Sequence, residues 1–151
     1  MTSTHIGVAA CVEGAEPTTT RKASYIGAPA VFKLELACQH LNRAFGGFGC
    51  YLVGSALDRA NWRDVDVRLI MPDAEFQALF PDVDLEAHNW EFDPRWLIMT
   101  TSITDHLRHV TGLPVDFQFQ PQYQSNRRYG SHARSALGLR FPKPSKALGM
   151  A

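Results

Sequence analysis

Asp64-Val65-Asp66-Val67-Arg68-Leu69-Ile70-Met71 is a short apolar run opened by two carboxylates one residue apart. Side chains alternate faces along a strand, so Asp64 and Asp66 share one face while Val65, Val67 and Leu69 take the other. A later run, Leu113-Pro114-Val115-Asp116-Phe117-Gln118-Phe119, repeats the pattern with Val115, Phe117 and Phe119 on one face. If the two strands pair with their apolar faces on one helix layer, Asp64, Asp66 and Asp116 converge. Directly opposed side chains on neighbouring strands sit roughly 5 Å apart at Cβ. Carboxylates that close repel one another unless cations neutralise them. Mg²⁺ suits such a place, because it takes a few carboxylates and completes its shell with water and substrate phosphates. The plain alternative is a half-buried sheet whose wet face carries Asp and Gln.

Outward from these runs, an earlier one, Tyr51-Leu52-Val53, ends on Gly54-Ser55. It predicts a strand over about 49–53, a short helix from Ser55, and a second strand over about 64–71. Before it, Val31, Leu34, Cys38 and Leu41 recur at helical spacing after Pro29, and Gly46-Gly47 stops the helix. After it, Pro72-Asp73-Ala74-Glu75 opens a helix, and residues 81–92 form an acidic loop. Asp93-Pro94 then starts a long amphipathic helix, marked by Trp96, Leu97, Thr100, Ile103, Leu107 and Val110 and closed by Gly112. A third strand over about 114–120 leads to a short helix near 122–128 and an irregular tail. Strands alternating with helices, without repeats, predict one α/β (α+β) domain over 26–151. Its sheet is small and mixed, with helices packed mainly on one face. Residues 1–25, rich in Thr, Ala, Gly and Ser, read as a mobile N-terminal arm.

The ordered set of strand, Gly-Ser, strand with Asp-x-Asp, helix, and strand with Asp resembles the DNA polymerase beta-like nucleotidyltransferase superfamily, especially its minimal stand-alone members. The resemblance spans roughly residues 31–120. It implies a metal-dependent transfer of a nucleoside monophosphate from a nucleoside triphosphate such as ATP to a hydroxyl acceptor, with pyrophosphate released. It assigns Asp64 and Asp66 to both metals. Asp116 becomes the third carboxylate, which binds the catalytic metal and orients or deprotonates the hydroxyl. Gly54 and Ser55 become the pair that cradles the terminal phosphates, where glycine lets the backbone approach. The family often has Arg-Gly soon after Gly-Ser and Ser before the first Asp. Here Arg59 precedes Ala60 and Arg63 precedes Asp64. Arg59 and Arg63 are candidates for neutralising phosphate charge, or else belong to a solvated loop. The implied cofactor is Mg²⁺ or Mn²⁺.

The 151 residues suffice for one domain with a core, and a hydrophobic content of 45% is ordinary for a globular chain. No apolar stretch approaches the ~20 residues that cross a membrane, and the first residues lack a signal-peptide pattern. Cys11, Cys38 and Cys50 are an odd number without metal-ligand spacing, which predicts reduced thiols and a cytoplasmic location. Net charge is zero but uneven. The 35 residues after Asp116 hold Arg127, Arg128, Arg134, Arg140, Lys143 and Lys146 with no acid, so they carry +6, against nine basic and fifteen acidic residues before them. That segment either folds back on the acidic body or binds phosphates or nucleic acid.

His106 and His109 stand one helical turn apart without a third ligand, which favours a solvated face. Trp96 reads as core, whereas Trp62 is a candidate for stacking on a base. Ser131 and His132 lack a nucleophile elbow and are set aside as a hydrolase triad. Two other functions use the same residues: a catalytically silent nucleotide- or partner-binding domain, and a two-metal nuclease, which has no need of Gly-Ser. A protein partner or homo-oligomer is compatible with so small a chain. The acceptor stays open among a protein side chain, RNA, a small molecule and a second nucleotide.

Overall fold

A computed structural model of the chain describes residues 24–139. The first helix among the described residues, α1 (Ala30–Phe45), begins one residue after Pro29 and ends at Gly46, whose N–H caps the Asn42 carbonyl. Its buried Leu34, Ala37, Cys38 and Leu41 form the apolar stripe expected from their spacing. Strand β1 (Gly49–Val53) follows, then the single turn α2 (Ser55–Asp58) and strand β2 (Val65–Met71). Helix α3 (Asp73–Leu79) leads through an acidic loop and a 3₁₀ turn (Trp90–Phe92) to α4 (Pro94–Thr111). Asp93 caps α4 by accepting the Trp96 N–H at 2.9 Å, and Gly112 closes it in the left-handed conformation. Strand β3 (Val115–Pro121), helix α5 (Gln122–Tyr129) and the two-residue strand β4 (Ser135–Ala136) complete the described chain.

The sheet order is β3-β2-β1-β4. β1 runs antiparallel to both β2 and β4, while β2 and β3 are parallel and joined by a crossover through α4. The sheet is therefore mixed. β2 and β3 show the alternation their sequences demand. Val65, Val67 and Leu69, with Val115, Phe117 and Phe119, are wholly buried. The side chains at positions 66, 68, 116 and 118 face partly into solvent. Phe119 anchors the buried side, with Phe45, Phe80 and Phe117 packed against its ring at centroid distances of 5.0–5.4 Å.

Trp96 is buried and donates its indole N–H to the Phe119 carbonyl. Where the sequence predicts an irregular tail, the chain instead returns and adds β4 beside β1. Residues 1–23 of the expected arm, and Arg140, Lys143 and Lys146 of the basic tail, lie outside the described residues. The last part of that arm is tied down: Tyr25 donates its N–H to the Ala56 carbonyl, and Ile26 is buried in the core. Among the described residues, no helix is long and apolar enough to cross a membrane.

Candidate functional site

Asp66 and Asp116 are register partners on the parallel strands, one step inside Val65 and Val115. Across the other edge, Asp66 pairs with Val53, the last residue of β1. The chain turns sharply there, at Gly54, with φ at +77°. A Cβ at Gly54 would overlap the Asp66 Oδ2 atom. Only glycine lets the β1–α2 turn lie against that carboxylate. Burial pushes the Asp66 carboxyl above its ordinary value, and the charges of Asp116 and Asp64 push it further, against the pull of Arg68. The carboxylates are thus close enough to repel.

Arg68, two residues along β2 from Asp66, lies on the same strand face. One terminal nitrogen, Nη2, stands 3.1 Å from Asp116 Oδ2 and 3.8 Å from Asp66 Oδ1. The other, Nη1, donates to the main-chain carbonyls of Asp116 at 2.7 Å and Val67 at 3.1 Å. The Arg68 side chain is only 14% exposed, against 25% for Asp66 and 49% for Asp116. This guanidinium is therefore a fitted part of the carboxylate pair, held by forked contacts that lysine could not reproduce.

Gly54, Asp66 and Arg68 line a pocket of about 210 Å³ together with Ser125, His132 and Arg134. Arg134 Nη2 donates to the Ser125 carbonyl at 3.0 Å, which fixes that part of the pocket wall. The returning segment that carries this wall is bolted to α1. Asn42 accepts the Cys50 N–H through Oδ1 and donates to the Leu137 carbonyl through Nδ2. The Gly138 N–H donates to Glu35 Oε1 at 2.6 Å.

Of the residues named from the sequence, Gly54 and Asp66 line this pocket, and Asp116 adjoins it through Arg68. Asp64 falls one residue before β2 begins, on exposed chain, and strand alternation does not govern its side chain. Among the described residues, no three His, Cys, Asp or Glu side chains assemble as a metal-ligand group. Asp66 and Asp116 are the directly paired carboxylates, and Asp64, just before β2, is near enough for its charge to act on Asp66. That pair still suits Mg²⁺, which is commonly held by one or two carboxylates with water and substrate phosphates.

Ser55 opens α2 beside Gly54. Arg59 and Arg63 are exposed and do not line the pocket. Trp62, partly exposed, donates its indole N–H to the Tyr25 carbonyl and packs against the core. His106 and His109 lie on the exposed face of α4. Arg68 escaped notice within an apolar run, although its i+2 spacing from Asp66 was the available signal. Ser125, His132 and Arg134 arrive by a non-local return that no periodicity marks.

Comparison of the chain with protein-family models, with characterised proteins and with solved structures finds no match to any of them.

Proposed function

We propose that this chain is a metal-dependent nucleotidyltransferase of the DNA polymerase beta-like type, which moves a nucleoside monophosphate from a triphosphate to a hydroxyl acceptor. The observation that carries the reading is the direct register pairing of Asp66 with Asp116, with Gly54 packed against the Asp66 carboxylate. The small mixed sheet is the architecture expected from the sequence.

In this reading Asp66 and Asp116, with Asp64 beside them, would hold Mg²⁺ or Mn²⁺. The bound ion supplies Lewis-acid stabilisation of charge on the transferring phosphate. The Gly54-Ser55 backbone receives the terminal phosphates, and Arg134 and His132 line the same pocket. Asp116, the more exposed carboxylate, orients the acceptor hydroxyl and takes its proton. The hydroxyl oxygen forms a bond to the α-phosphorus, and the bond to the β-phosphate oxygen breaks. Pyrophosphate leaves with that electron pair. A protein side chain, an RNA 3′ end, a small molecule or a second nucleotide could each serve as the acceptor.

The test is incubation of full-length protein and cell extract with α-labelled triphosphates and Mg²⁺ or Mn²⁺, followed for label transfer and pyrophosphate. Asp66→Asn and Asp116→Asn are each expected to abolish transfer. Undiminished transfer by Asp66→Asn would overturn the assignment. A second reading, a nucleotide-binding domain without turnover, is favoured by one observation: Arg68 already engages both carboxylates. Calorimetric binding of a triphosphate without transfer to any acceptor would select it.

A further inference from the structure

Two carboxylates laid side by side need a counter-charge, and this protein carries one within the same strand. Arg68 meets both carboxylates with one nitrogen while its second nitrogen is tied to two main-chain carbonyls. The same side chain lines one pocket with His132 and Arg134. A divalent ion seated on Asp66 and Asp116 would stand within a few ångströms of that guanidinium. Like charges so close repel strongly at low dielectric. Ion and guanidinium therefore compete for one pair of oxygens. The pocket supplies the alternative, because an oligophosphate lying there offers Arg68 the bidentate oxygen partners that guanidinium prefers.

We propose that Arg68 is an exchangeable counter-ion: it clasps Asp66 and Asp116 in the free protein, then transfers to the phosphates when a divalent ion takes the carboxylates. This rests on the reading of the pair as a cation site and names how that site is regulated. The free protein then holds divalent ions weakly, and ion and oligophosphate binding reinforce one another. Such coupling is reciprocal by thermodynamic necessity.

The experiment uses the full chain and two probes that need no knowledge of the natural substrate. Mn²⁺ binding is followed by the electron paramagnetic resonance of the free ion, without nucleotide. Inorganic tripolyphosphate binding is followed by calorimetry in EDTA. For Arg68→Gln, Mn²⁺ is expected to bind about tenfold tighter and tripolyphosphate about tenfold weaker. A purely structural arginine would move both affinities the same way. Arg68→Lys retains the charge without the fork, and serves if the glutamine variant does not fold. Its Mn²⁺ affinity should rise while tripolyphosphate binding is largely kept. Unchanged or weaker Mn²⁺ binding in the variants, with Mn²⁺ bound by the wild type, refutes the exchange and leaves the cation site standing. Absence of Mn²⁺ binding from every form, with or without tripolyphosphate, overturns the exchange and the cation site together.

Discussion

Glu35, in the middle of α1, accepts the Gly138 N–H at 2.6 Å, joining residues 103 positions apart. Both groups are buried, and Glu35 is only 2% exposed. A Cβ at Gly138 would come within 2.7–2.8 Å of the Gln39 nitrogen and the Cys38 carbonyl carbon, so the return segment presses directly on the helix backbone.

Glu35→Ala leaves the buried Gly138 N–H without this acceptor. Such losses cost about 1–3 kcal/mol. Urea unfolding should show the midpoint falling accordingly, and the pocket wall should loosen with it. A midpoint within error of wild type would show that the segment is held elsewhere.

Gly54→Ala meets two obstacles. Its backbone at +77° is costly for any residue with a Cβ, and that Cβ overlaps the Asp66 carboxylate. Backbone strain of this kind is worth of order 1–3 kcal/mol. The variant should lose stability and also bind Mn²⁺ more weakly, because Asp66 must move away. Wild-type Mn²⁺ affinity in Gly54→Ala would dissociate the turn from the carboxylate.

Asp66 predicts a dependence on pH with a definite sign. Its carboxyl is raised above the ordinary 3.8, chiefly by burial. A raised acid favours the folded protein below its ordinary value, and that contribution is lost as pH climbs through the raised value. Asp66→Asn has no such titration. The stability of the variant minus that of wild type should therefore grow as pH rises above 3.8 and level off once pH has passed the raised value. A difference independent of pH would contradict the assignment. Activity should move the other way, since the carboxylate is needed for transfer.

The Cys38 thiol lies well above its ordinary 9.0, held there first by its hydrogen bond with Cys50, then by burial and by the nearby Cys50 and Glu35 charges. Native protein should resist iodoacetamide at Cys38 at mildly alkaline pH, whereas urea-unfolded protein should react readily. By the same linkage, Cys38 supports folding below pH 9 and loses that support as the thiol ionises. Equal labelling rates in native and unfolded protein would exclude this burial.

The elements legible in the sequence are those with local rules. Val65, Val67 and Leu69 announce their strand by alternation, and Asp93-Pro94 with Gly112 mark both ends of α4. The pairing of Asp66 with Asp116 followed once the two apolar faces were laid on one helix layer. Asp64 stands one residue before β2, so alternation alone does not fix its side chain. Ser135–Ala136 is too short to have a period, so β4 was invisible, and with it the wall carrying His132 and Arg134. The hydrogen bond of Trp62 was not legible, because its partner, the Tyr25 carbonyl, comes from a stretch with no pattern at all.

The Asn42 side chain, bridging β1 and Leu137 over 95 residues, has a consequence for how the protein comes into being. β1 and β2 can meet early, as neighbours in sequence, but the pocket closes only after nearly the whole described chain is available. Closing so long a loop is entropically costly, and contacts of this range slow folding. During synthesis the emerging chain must therefore carry its clustered carboxylates, with Arg68 as their nearest counter-charge, before the opposite wall exists. An arginine built into the same strand serves that interval without waiting for any partner from the end of the chain.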